Sequence, residues 1–351
     1  MTAYGYRLFT MASYFGRSRD TVPLDDFSSL GKPGLGIEEL ERHLLELQDE
    51  LLFGAPNYWS EPTDQDEDED EDPTISVSVK KHPYLRVRRV VRQANRLAVS
   101  VEYGREGDYE ILLSQDGSDP IPLKGKATAR RFRVWFYFPV SGANAFMVSE
   151  TKGRTHAGRP LVHWLRVKNQ RAAVTFDTDG ARTELPWARW DLTETLDENR
   201  IDEVLQESSE HSITLRRRSI DTANNRHRGE LKLTQQGVPL SKTDDLKAII
   251  KGWWTNRSKG KEPEVRKEAA AHLGTLIGVS DASTSLDFND GEITFLEKNK
   301  VQTISPSSIE RLFVYPLGEK VPSDADLLVA AVNVLRPVAE DLKIDIRLST
   351  V

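Results

Sequence analysis

Residues 131–138 read Arg-Phe-Arg-Val-Trp-Phe-Tyr-Phe, and the order of these side chains decides what kind of fold the chain can build. A β-strand sends successive side chains to opposite faces. Alternation then puts Phe132, Val134, Phe136 and Phe138 on one face, and Arg131, Arg133, Trp135 and Tyr137 on the other. The first set is a core face. The second combines cations with large π-surfaces, a pairing suited to phosphate neutralisation and base stacking on a single nucleic-acid strand.

The flanking segments read the same way. TISVSV, YLRVRRVV, RLAVSVEY, YEILL and NAFMVS have strand composition, and Arg105-Glu106-Gly107-Asp108, Asp116-Gly117 and Ser141-Gly142-Ala143-Asn144 are turn signals between them. The spacing predicts an antiparallel meander. Its strands add Arg86, Arg88 and Arg92 as further cations, and a basic loop with Lys152, Arg154, His156 and Arg159 follows the last of them. Downstream, SITLRRRS and GELKLTQ form a second strand pair that carries Arg216 and Arg218 on one face.

Further out the period changes. Ile37, Leu40, Leu44, Leu47 and Leu51 recur at helical spacing after the turn GKPGLG, and Tyr6 to Met11 reads as a first strand. That glycine-rich turn is no phosphate cradle, because Glu38, Glu39 and Glu41 would repel an anion there and no Gly-Lys-Ser/Thr ending is present. Residues 160–168 fit helix or strand. ELPWARWDL fits a strand, and Asp197 to Gln206 a short helix. Leu246, Ile249, Ile250, Trp253 and Trp254 share one helical face, so the two tryptophans read as core, and a second helix spans Glu264 to Ile277. SLDFNDGEITFLE reads as a hairpin turning at Asn289-Asp290-Gly291. Ser323 with Asp326 marks the start of a last helix that Pro337 should kink or end, and KIDIRLS fits a terminal strand. The fold class is α+β, antiparallel β-meander sheets with flanking helices in a mixed, two-part architecture. The expected parts are 1–60 (strand and helix), 61–73 (a disordered acidic linker or loop), 74–208 (a basic β-rich domain) and 209–351 (an α+β domain).

A length of 351 residues fits about two domains. No stretch reaches the roughly 20 apolar residues that cross a bilayer, and the start has no secretory pattern, so a cytoplasmic protein without a membrane partner is expected. The absence of Cys removes disulfides, thiol catalysis and cysteine-held zinc. The seven histidines show no metal spacing, so neither a metal nor another cofactor is expected.

The net charge of −7 hides blocks: −13 over 1–79, +12 over 80–171, −7 over 172–208, +7 over 209–261 and −6 over 262–351. Eight of the acids lie between Asp64 and Asp72. Signs segregated on this scale suggest fields meant for partners or for each other.

One short motif points to chemistry. Glu150-Thr151-Lys152, at the end of the apolar strand Ala145–Val148, resembles the core of the PD-(D/E)xK nucleases. The resemblance covers these three residues and their strand context. It implies Mg²⁺-dependent cleavage, with Glu150 a metal ligand and Lys152 orienting the attacking water. The strand before it has no acid, and the nearest upstream carboxylate is Asp119.

The leading expectation is a non-enzymatic or accessory nucleic-acid-binding protein, its acidic run competing for the basic surface like a phosphate mimic. The block character fits a prokaryotic or phage defence pathway. The alternatives are a protein-interaction or scaffold component, or a homo-oligomer, whose charge blocks pair across an interface, and the nuclease.

Overall fold

The computed structural model describes residues 4–27, 34–53, 83–106, 111–112, 121–122, 127–153, 155–176, 182–207, 211–221, 226–238, 242–279, 287–297 and 300–348. The acidic run 61–73, the strand expected at 74–79, the turn at Asp116-Gly117 and Arg154 lie outside the described residues.

Contacts divide the chain into two units, Met1–Glu194 with Tyr315–Val351, and Thr195–Val314. The helix Glu198–Glu207 packs with the second unit, and the last helix belongs to the first.

The first unit runs β1 (Tyr4–Phe15), α1 (Gly36–Glu46), β2 (Leu52–Phe53), β3 (Pro83–Gln93), β4 (Arg96–Glu106), β5 (Ile111–Leu112), β6 (Ile121–Pro122), β7 (Ala127–Tyr137), β8 (Asn144–Lys152), β9 (Thr155–His156), α2 (Gly158–Ala173), β10 (Val174–Phe176), β11 (Arg182–Glu184) and β12 (Ala188–Glu194). The large sheet has the order β12-β1-β8-β7-β4-β3-β2. Neighbours along it are antiparallel, and β3, β4, β7 and β8 form a meander as expected, except that the segment YEILL is not part of it. Instead β5 pairs with β6 in a separate two-stranded sheet, and β4 pairs directly with β7. Phe132, Val134, Phe136 and Phe138 do face a core, with Phe9, Met11, Val99, Met147 and Trp190. Ile37, Leu40 and Leu44 of α1 and Leu161, Trp164 and Leu165 of α2 cover it. Residues 160–168, open between helix and strand in the sequence, are helix. At Gly158 an added Cβ would lie 2.6 Å from Met147 Cε, so glycine lets α2 start flush against the sheet.

The second unit contains α3 (Glu198–Glu207), β13 (His211–Asp221), β14 (Arg226–Gln236), α4 (Thr243–Thr255), α5 (Pro263–Leu276), β15 (Asp290–Glu297) and β16 (Lys300–Ile304). Its antiparallel sheet, β14-β13-β15-β16, packs Ile213, Leu215, Ile293 and Phe295 against the helices. Trp253 and Trp254 are buried there. Asn289-Asp290-Gly291 is not a hairpin tip: Asp290 and Gly291 open β15 and pair with Arg216 and Leu215. An added Cβ at Gly291 would lie 2.8 Å from Leu273 Cδ1, so this glycine serves close helix–sheet packing.

β17 (Val314–Gly318) and α6 (Asp324–Asp341) return to the first unit. Ser323 and Asp326 form the expected capping box. Helix α6 runs past Pro337 to Asp341, because Leu335, Val338 and Ala339 on either side of it are buried. The expected terminal strand does not form, although Ile344, Ile346 and Leu348 still pack on the core. No described helix is long and apolar enough to cross a membrane.

One buried and one half-buried imidazole should make this unit acid-sensitive. Burial lowers His43 from 6.5 to about 4, Glu39 opposing and the Arg42 cation adding to the shift. Burial with Arg7 and Arg159 lowers His156 to about 3. Both histidines are neutral in the folded state and protonate more readily once unfolded. Their contribution is therefore complete above the unfolded value and lost as pH falls below it. The melting temperature should drop between pH 6.5 and about 4, and His43→Gln with His156→Gln should flatten that drop. An unchanged profile in the double variant would refute the assignment.

Candidate polyanion-binding groove

The second face of residues 131–137 is covered where the aromatic rings stand. Trp135 is 6% exposed and Tyr137 2%, and both pack with Tyr6, Leu8, Phe146 and Val148 beneath Leu327, Ala331 and Leu335 of α6. The expected stacking platform is thus a second core. Arg96 lies over both rings, 5.5 Å from the Trp135 centroid and 6.0 Å from that of Tyr137. Burial raises the Tyr137 pKa, with Arg96 opposing.

Beyond the edge of this core the sheet face opens. A groove of about 650 Å³ runs over β3, β4 and β7, lined by Arg88, Arg89, Ser100, Arg131, Arg133 and Trp135 among others. Its shape depends on an irregularity in β3. The pairing with β4 shifts between Val87 and Arg89, so Arg89 faces Ser100 while Val87 faces Val101. Such a bulge re-aims side chains beside it. Strict alternation selects Arg86, Arg88 and Arg92 and misses Arg89. The signal was available in Arg88-Arg89-Val90-Val91, where alternation breaks.

The arginines around the groove differ in what holds them. Arg133 is locked: its Nε and one terminal nitrogen donate to the two Glu150 oxygens at 2.9 Å each, and its backbone N–H donates to Glu150 at 3.0 Å. Its guanidinium also reaches Asp324 at 2.7 Å and the Pro322 carbonyl at 2.9 Å. Burial works against this charge, but the bonds to Glu150 and Asp324 outweigh it and raise its pKa. Arg88 pairs with Asp49 at 2.8 Å and Glu102 at 3.5 Å. Arg131 is 70% exposed and makes, among the described residues, one long ion pair, 3.3 Å to Glu102. Arg89 is exposed and makes no ion pair among the described residues. Arg86 shares a cross-strand row with Glu102 and Arg131, and its buried Nε has no hydrogen-bond partner among the described residues.

No family model, curated protein or solved structure matches the chain. The functional reading therefore rests on this geometry.

The remaining expected residues lie apart from the groove. Arg92 reaches Glu38 and Glu41 of α1 at 3.4 Å. Lys152 stands over its cross-strand partner Tyr4, 5.2 Å from the ring. Arg159 holds the buried Glu194 at 2.8 Å. In the second unit Arg216 is flanked by Glu230 at 2.9 Å and Glu292 at 2.6 Å, and the backbone of Arg218 pairs with that of Glu230. The Glu-x-Lys step is an anchor here. Glu150 is buried and its carboxylate is taken up by Arg133, and Lys152 does not join it. Among the described residues Glu150 belongs to no cluster of acids and histidines that could hold a metal ion.

Removing one partner of a buried, hydrogen-bonded pair strands the other, at about 3 kcal/mol. Arg133→Met should therefore lower stability by about that amount in denaturant titration. The double variant with Glu150→Met should recover most of it, since no buried charge is left alone. A single-variant loss below about 1 kcal/mol would place the pair among weak surface contacts.

Proposed function

We propose that the chain is a non-enzymatic or accessory nucleic-acid-binding protein that takes phosphates in the groove over β3, β4 and β7, through Arg88, Arg89 and Arg131. One observation carries this reading: Arg89 and Arg131 are exposed beside the groove, Arg89 unpaired and Arg131 held by a single ion pair among the described residues. Guanidinium groups suit phosphate oxygens because their planar N–H donors match them two at a time. Trp135 and Tyr137 are buried, so the reading assigns them no base stacking. Recognition through phosphates alone positions a strand without reading its sequence.

Each phosphate neutralised on a single strand contributes roughly 0.7 to the fall of log K with log salt, so three arginines predict a slope of about 2. Titration of a labelled oligonucleotide at two salt concentrations measures it. Arg89→Ala with Arg131→Ala should remove most of the slope and most of the affinity. Undetectable or salt-insensitive binding would overturn the proposal. The acidic residues between Asp64 and Asp72 are the chain's own competitor for these arginines, and deletion of 61–73 should tighten binding. Unchanged affinity would remove the competitor alone.

A second reading, an acidic protein partner, is favoured by one observation. Around the groove Asp49, Glu102, Glu150 and Asp324 already sit on arginines, so carboxylates fit this face as well as phosphates would. Binding of an acidic peptide with no binding of the oligonucleotide would select it.

A further inference from the structure

Strand β14 is the outer strand of the second unit's sheet, and among the described residues no strand pairs with its far side. It is eleven residues long, and residues 230–232 and 234–236 are exposed. An open edge of this length presents a row of N–H and C=O groups that can template another strand. Natural edges are commonly blunted by a lysine, which repels a stray strand by desolvation. Here Lys232 fills that position, and Glu230 stands two residues before it on the same face.

The strand is also self-complementary. Its midpoint is Leu231, which is 46% exposed. The pairing with β13 is irregular at Arg228, so an antiparallel copy related by a two-fold axis through Leu231 pairs the regular stretch Gly229–Leu233 with itself. Leu231 then meets Leu231. Glu230 and Lys232 already pair within the chain at 3.3 Å, and in this register each also faces the opposite charge of the copy, giving two cross-strand pairs beside the apolar centre. The lysine that discourages a random strand is matched by the chain itself.

We propose that β14 docks a second copy of this chain, edge to edge and antiparallel, joining two four-stranded sheets into one. The regular seam is roughly 16 Å long at about 3.3 Å per residue, and narrow. An interface of that size gives a weak, concentration-dependent dimer.

Sedimentation of the full chain across the micromolar range tests this, with two charge reversals as the decisive variants. Lys232→Glu sets two like-charge pairs across the seam, and Glu230→Lys does the same with the opposite sign. Each alone should weaken association roughly tenfold or more. An equal mixture of the two variants restores both opposite-charge pairs and should dimerise again, an outcome that damage to the monomer fold does not produce. Glu230 also holds Arg216, so Leu231→Asp serves as the breaking variant if Glu230→Lys does not fold. The proposal is overturned by a wild-type chain that stays monomeric throughout. It is equally overturned by a dimer that neither Lys232→Glu nor Leu231→Asp weakens.

Discussion

Everything in the first unit depends on a strand that must be apolar on both sides. In β8, the seven residues Ala145 to Thr151 are all buried. Ala145 and Met147 join the core under α1 and α2, while Phe146 and Val148 join the one under α6. A sheet buried on both faces along its centre cannot present those strands to solvent or ligand. Any open binding face is pushed outward along the sheet, to β3, β4 and the start of β7, where the groove lies.

The border between core and groove is held by charge. Arg133 extends from a strand whose next outward-alternating neighbour, Trp135, is buried, so its guanidinium is drawn partly out of water. That is tolerable only because Glu150 meets it with two parallel bonds and Asp324 with a third. The same contacts tie the first turn of α6 to the sheet. Glu150 thus serves as one half of a clamp between a strand and the helix that covers it.

How much could be read in advance follows from range. Alternation within 131–138 is local, so the core face of Phe132, Val134 and Phe136 was legible, as were the antiparallel sheet, the Ser323–Asp326 cap and the α1 stripe from Ile37 to Leu47. Leu51, read into that stripe, lies past the helix end and is exposed. What covers the other face was not legible, because the covering helix comes from Leu327 to Ala339, nearly two hundred residues later, and no local pattern states where a helix docks. Asn289-Asp290-Gly291 misled for a related reason. A glycine needed for close packing against Leu273 has the same letters as one needed for a turn. The groove was half legible: its cations were visible as a basic block, but the bulge that brings Arg89 into it left only a broken alternation.

The division of the chain has a consequence for biosynthesis. The first unit is completed by residues 315–351, which leave the ribosome after all of 195–314. Until then the nascent chain carries Tyr6, Leu8, Trp135, Tyr137, Phe146 and Val148 without the helix that buries them. A half-clad sheet of this kind is a natural client for chaperones during translation. Chains truncated after the second unit would keep this aromatic surface bare.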